Sequence, residues 1–243
     1  MNAPPAAAPR ALTLFHHPEA RPMVDAWREH VIVIESLQPP RAEEGFFLWA
    51  VADHVSLCRG RERGVWVTLS ELERRAVQGG DVARACGLGG RRTLRVLDAM
   101  GGWGVDGLVL ARRGCDVTLV ERLPALWILQ QDLIRRSGAN TVTAICGDAF
   151  PLLEREGHWD VVYLDPMFPT RAKSALPGKR MQWLAQLAVA DTRPLSRWLD
   201  AAVAAAGERV VLKRRLKDPV IEVPDWQILG RTVRYDVYRG AAS

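Results

Sequence analysis

From Leu94 onward, short apolar runs alternate with longer segments whose apolar residues recur at helical spacing. Leu94–Ala99, Asp116–Glu121, Val142–Cys146, Trp159–Asp165 and Arg209–Lys213 read as buried strands. Val105–Arg113, Pro124–Ser137, Met181–Ala190 and Leu195–Ala206 read as the helices between and after them. Gly114 and Gly138 fall where the first two helices should stop, and Pro124 suits a first helical turn. Trp226–Leu229 and Thr232–Tyr238 predict a closing antiparallel hairpin. This alternation predicts an α/β fold with a doubly wound, mostly parallel sheet covered on both faces. The first 93 residues lack the alternation. Residues 1–12, rich in Ala and Pro, predict a disordered tail, and residues 13–93 a small N-terminal subdomain before the main domain at 94–243. The subdomain's ordered segments are Val31–Glu35, Phe46–Ser56 and Val65–Leu69, with a short helix at Asp81–Cys86. No apolar run reaches the ~18 residues of a membrane span.

After the first strand of the main domain, Gly102, Gly104 and Gly107 spell G-x-G-x-x-G. Glycines there let the chain turn sharply and let a ligand lie against the backbone at a helix N-terminus. The motif alone fits a nicotinamide dinucleotide as well as S-adenosylmethionine (SAM), and a ligand-free tight turn is the simpler reading. Asp98 precedes the loop, where it would repel a pyrophosphate but tolerate the cationic amino-acid end of SAM. Glu121, ending the second strand, suits the two ribose hydroxyls of either cofactor. Asp106 at the helix start favours the helix dipole and also faces the expected ligand. Asp148 is placed either to meet an adenine amino group or to cap a short helix starting near Ala149.

The fourth strand runs into Asp165-Pro166-Met167-Phe168-Pro169. Ligands of open α/β sheets bind beyond the carboxyl ends of the strands, so Asp165 emerges where chemistry is expected. The prolines stiffen the loop. An Asp carboxylate and the Pro166 carbonyl held in one arrangement suit the two hydrogens of an exocyclic amine, and Phe168 suits stacking on a base. These three residues are the candidate catalytic group.

The chain has a formal charge of +5 and a pI near 9.3. Arg171, Lys173, Lys179 and Arg180 follow the Asp165 loop, and Lys213 and Arg214 end the fifth strand. Both runs are expected on the sheet edge that carries Asp165, as a cationic rim for RNA phosphates. Four scattered cysteines, with no metal-ligand spacing, predict reduced thiols in a cytoplasmic protein without a metal. The five histidines suggest no hydride-transfer site, which weighs against an oxidoreductase.

The D-P-M-F-P segment, followed by Lys173-Ser174-Ala175-Leu176, Lys179 and Met181, resembles the RsmJ family of bacterial small-subunit ribosomal RNA (guanine-N2)-methyltransferases. The resemblance runs from about Gly79 to the end. It includes Asp98–Asp106, Glu121-Arg122, Lys213-Arg214 and Arg234–Tyr238. It implies a Rossmann-like class I methyltransferase fold, SAM as cofactor, and ribosomal RNA or the small ribosomal subunit as partner. It also implies cofactor contacts at Val105, Asp106, Glu121, Arg122, Asp148, Ala149 and Asp165, beside Asp98, Gly102 and Gly104. The chain departs from the family at Met100-Gly101, where Thr-Ala is usual, and at Asp148-Ala149, where paired Ser is typical. Residues before about 78 match poorly. Adenine in nucleic acid and a protein glutamine are the alternative amine substrates.

Overall fold

The computed structural model describes residues 12–40, 45–78, 80–89, 92–155, 159–167, 178–188 and 191–241. They fall into two compact units: Met1–Trp66 with Pro177–Ala190, and Val67–Leu176 with Asp191–Ser243.

The first unit is a five-stranded sheet of order β2-β1-β3-β4-β5. Its strands are β1 (Thr13–His16), β2 (Ile32–Glu35), β3 (Phe46–Ala50), β4 (Val55–Arg59) and β5 (Glu62–Val65). The short helix α1 (Arg21–Val24) lies between β1 and β2 in the chain, and α7 (Lys179–Leu187) belongs to the same unit. Phe15 and Phe47 meet edge to face at 5.7 Å in its core. Phe46–Ser56, one apolar segment in the sequence, is β3, a turn and the start of β4.

The second unit is a seven-stranded sheet of order β11-β12-β10-β9-β6-β7-β8. Its strands are β6 (Arg95–Asp98), β7 (Asp116–Glu121), β8 (Val142–Cys146), β9 (Trp159–Leu164), β10 (Ala206–Arg215), β11 (Trp226–Leu229) and β12 (Val233–Arg239). β6 to β10 run parallel, whereas β12 pairs antiparallel with both β10 and β11. The expected hairpin therefore forms, with its second strand inserted beside β10. The helices are α2 (Leu69–Gln78), α3 (Gly80–Ala85), α4 (Val105–Ala111), α5 (Pro124–Ser137), α6 (Phe150–Glu154) and α8 (Leu195–Ala205). α6 and α8 close one face of the sheet over Leu97, Val120, Val162, Leu164, Val210 and Leu212. α5 has the bounds its pattern predicts and stops at Gly138, whose φ of 63° is the left-handed cap glycine provides.

The boundary at 93 moves. Residues from Val67 onward belong to the larger unit, and α7 returns to the smaller one. The reason is bonding from α2: Arg75 pairs with Asp106, Arg113 donates to the Ala76 carbonyl, and Arg136 donates to that of Val67. The expected tail lies, except for Leu12, outside the described residues.

Gly107 sets how closely α4 approaches the sheet. A Cβ there would lie 2.3 Å from Leu119 Cδ2 and 3.3 Å from both Asp98 Oδ2 and Val117 Cγ1. Leu119 is fully buried and has no room to turn away. Gly107→Ala is expected to cost about 1–3 kcal/mol through overpacking. A lower urea midpoint at unchanged m-value would register it.

Candidate active site

Strand order reverses at β6, which is flanked by β7 on one side and β9 on the other. This is the switch point where open α/β sheets bind ligands. Two loops leave the sheet there, the glycine loop after β6 and the Asp165 loop after β9. Side chains alternate along a strand, and register decides which of them meet. Asp98 pairs with Tyr163 across β6 and β9, Leu212 with Leu164 across β10 and β9, and Lys213 with Tyr235 across β10 and β12. Asp98, Tyr163, Asp165, Lys213 and Tyr235 accordingly share the face that α4 covers.

Lys213 is the centre of this group. Its ammonium lies 2.6 Å from Asp106 Oδ2 and 2.8 Å from Asp165 Oδ2. Tyr163 donates its hydroxyl to Asp106 Oδ2 at 2.8 Å, and Arg75 reaches Asp106 Oδ1 at 3.4 Å. Burial alone would lower the Lys213 pKa, but the two carboxylates more than offset it and hold the ammonium charged well above its ordinary range. Burial works against the Asp106 anion too, yet Lys213 and the Tyr163 hydroxyl keep its carboxyl below the usual value. Asp165 goes the other way: burial, with Asp106 as a like charge, raises its carboxyl against the pull of Lys213. Asp98 is raised well above the usual range, by burial first and then by Asp106 and Asp165. Among the described residues, its carboxylate accepts one hydrogen bond, from the Met100 N–H at 3.3 Å.

The glycine loop is fixed from below. Glu121 accepts from the Gly102 N–H at 2.9 Å through one oxygen and from the Leu123 N–H at 2.8 Å through the other. Gln130 of α5 donates to the Gly102 carbonyl at 2.9 Å. Gly102 and Gly104 have φ of 51° and 74°, values that side chains resist. Gly104 caps α4, which starts at Val105. Burial raises the Glu121 carboxyl, partly countered by backbone donors, Leu123 and Gly102 foremost, and by the Arg122 charge. Beyond β8, Asp148 accepts from the Phe150 N–H at 3.0 Å, with the buried Ala149 as N-cap of α6. Its other oxygen takes Arg193 at 2.5 Å. Arg193 also pairs with Asp191, which binds Arg122 at 3.1 Å. Four charges thus link Arg122 to Asp148, and the Arg193 guanidinium lies 4.6 Å from the Phe150 ring centroid.

A SAM-dependent methyltransferase family model, SAM_MT, matches residues 42–240. Ribosomal RNA small subunit methyltransferase J of Magnetococcus marinus is 42% identical over 173 residues, spanning 67% of this chain and 68% of that protein. The enzyme of the same name from Pseudomonas aeruginosa (strain UCBPP-PA14) is 41% identical over 194 residues, 74% of each. That from Chromohalobacter salexigens is 37% identical over 232 residues, 88% and 89% of the two. The chain belongs to the ribosomal RNA small subunit methyltransferase J (RsmJ) family. The crystal structure of the SAM-dependent methyltransferase NGO1261 from Neisseria gonorrhoeae superposes with a TM-score of 0.74 at 28% identity, covering 95% of this chain and 97% of that one.

The residues present fit the family's cofactor. Asp98, Asp106 and Asp165 outnumber the two cations beside them, Lys213 and Arg75, so the cluster favours a ligand bearing positive charge and disfavours a pyrophosphate. SAM carries both an ammonium and a sulfonium. Glu121 and Asp148 would face its ribose and adenine from the ends of β7 and β8.

Two of the residues expected on a cationic RNA rim are largely buried instead. Lys213 is only 14% exposed and ion-paired, and Arg214, on the opposite face, is buried and donates to the Pro219 carbonyl at 3.0 Å. Their strand is interior to the sheet, where a charged side chain must find a partner. Lys179 and Arg180 start α7, which belongs to the smaller unit. Phe168, Arg171 and Lys173 lie outside the described residues, while Asp165 and Pro166 stand at the end of β9 as expected. The reading missed Arg75, Tyr163, Gln130 and Arg193. Their roles depend on long-range contacts that no local pattern signals.

Two predictions test this electrostatic account. Without the Lys213 ammonium, Asp106 and Asp165 would be raised together, and groups raised by folding stabilise only at low pH. Lys213→Met should therefore lie nearest wild type around pH 4 and lose about 3–5 kcal/mol by pH 8 in denaturant titrations. Asp98 follows the same sign in the native protein: stability present below its unfolded pKa is lost as pH rises through its folded one. Asp98→Asn should raise Tm at pH 8, with the gain closing toward pH 4, while calorimetry records weaker SAM binding.

Proposed function

We propose that the chain methylates the exocyclic N2 amine of a guanine in small-subunit ribosomal RNA, in the cytoplasm. One observation carries the reading. Asp165 ends β9 at the switch point with Oδ2 held by Lys213, and its side chain is still 30% exposed. Among the described residues its hydrogen bonds use Oδ2 alone, which leaves Oδ1 to meet a substrate N–H. The ribosomal RNA named in the relatives' descriptions supports the substrate class. The resemblance of the Asp165–Pro169 loop to its RsmJ counterpart supports guanine N2.

A base amine is a poor nucleophile because its lone pair is delocalised into the ring. Asp165 Oδ1 and the Pro166 carbonyl would take its two hydrogens, fix the nitrogen, and favour the charge that builds on it. Bound SAM supplies an electrophilic methyl group activated by its positive sulfur. Lys213 fixes the Asp165 rotamer, so alignment is set before substrate arrives. The proton released after transfer is acidic enough to leave to Asp165 or to water. Phe168 would stack on the base.

Purified protein given methyl-labelled SAM and small ribosomal subunits or naked ribosomal RNA should place the label in N2-methylguanosine after nuclease digestion. Label in another nucleoside or in protein would sink the assignment. Asp165→Asn keeps the shape and removes the charge. It should lower kcat by about 100-fold or more at near-native Tm, and near-normal turnover would show that Asp165 is not the amine acceptor.

A further inference from the structure

Charge in the first unit is segregated. Residues 12–53 carry five described acids, Glu19, Asp25, Glu29, Glu35 and Asp53, against Arg21 and Arg28. The β4–β5 hairpin and α7 reverse this, with Arg59, Arg61, Arg63, Lys179 and Arg180 against Glu62 alone. The sheet order separates the halves, since β2 forms one edge and β5 the other.

The basic half is built as a rigid surface. Arg59 pairs with Glu62 across the strands, so Gly60 and Arg61 form a two-residue turn, and Gly60 has the positive φ of 50° that such a turn uses. A Cβ on Gly64 would sit 2.8 Å from Cys58 Sγ and 2.9 Å from Ser56 Oγ, so a bare glycine lets β5 close on β4. α7 is bound to this hairpin. Lys179 donates to the Arg63 carbonyl at 2.9 Å, pairs with Glu62 at 3.1 Å and lies over the Trp183 ring at 4.4 Å. Phe46 meets Trp183 edge to face at 5.4 Å. The single acid is therefore consumed internally. Arg59 is oriented by neutral groups, Gln186 Oε1 at 3.1 Å and the Phe46 ring. Among the described residues no acid pairs with Arg59, Arg61 or Arg63, and all three are exposed.

We infer that this face, formed by Arg59, Arg61 and Arg63 with Lys179 and Arg180 of α7, is a docking surface for the phosphate backbone of RNA. The inference rests on the RNA reading above. Guanidinium forks match phosphate oxygens in pairs, which ammonium groups do not. The acidic β1–β3 half disfavours the reverse orientation by repulsion. Such contacts add affinity and register without reading bases.

The test pairs two double variants of the full chain with the same charge change. Arg61→Glu with Arg63→Glu removes the proposed contacts; Arg21→Glu with Arg28→Glu places the same charges on the acidic half. Binding to a labelled ribosomal RNA fragment is followed against salt. The first pair should weaken binding about tenfold or more at 0.1 M salt and flatten the log K against log[salt] slope by about 1.5. SAM affinity and Tm should stay near wild type. The second pair should leave the slope unchanged. Equal losses from both pairs, or no change of slope in the first, would overturn the surface while leaving the RNA reading intact. A wild-type protein that binds no RNA would remove that reading and the surface with it.

Discussion

A lysine ammonium buried between two carboxylates sets the geometry of the catalytic end of the sheet. Lys213 joins β10 to Asp106 on α4 and to Asp165 beyond β9, so three separate elements meet at one charge. Ions taken out of water cost several kcal/mol each unless paired at good geometry. The arrangement holds only while all three elements keep register, and Gly107 allows it by letting α4 close on Val117 and Leu119. Tyr163 and Arg75 add donors to Asp106, leaving Asp165 the less fully bonded of the two acids.

That asymmetry separates two jobs. Asp106 is held ionised and inside, while Asp165 has one oxygen outside its ion pair and part of its side chain exposed. Asp98 contributes a third carboxyl that burial pushes toward its neutral form, a destabilising feature with an evident use near a cationic ligand. The glycine loop, whose turn its own glycines allow, is held in place by Glu121 and Gln130. The far end is braced by the Arg122–Asp191–Arg193–Asp148 chain.

The positive charge of the chain divides by role. Lys213 and Arg214 serve the interior of the methyltransferase sheet, whereas Arg59, Arg61 and Arg63 are exposed on the β4–β5 hairpin, and Arg21 and Arg28 pair with acids of their own half. Position along the chain suggested that Lys213 and Arg214 lie at an accessible rim, but both are largely buried and bonded within the larger unit. Strand alternation explains the error: a residue at the end of an interior strand has neighbours on both sides and a helix over its face.

The sequence by itself determined the strands of the larger unit and the helices α4, α5 and α8, the glycine turn and the Asp165 loop, because periodicity, Gly and Pro act over a few residues. α5 and its Gly138 stop were legible to the residue. Family membership was legible too, through Asp165–Pro169 and the residues after it. Only the tertiary structure decided the role of Lys213, the capture of α2 by the larger unit and the return of α7 to the smaller. Each rests on pairing between residues 31 to 116 positions apart, such as Arg75 with Asp106 and Lys179 with the Arg63 carbonyl. No local pattern encodes such pairs, since register and helix packing bring them together only after the sheet has formed.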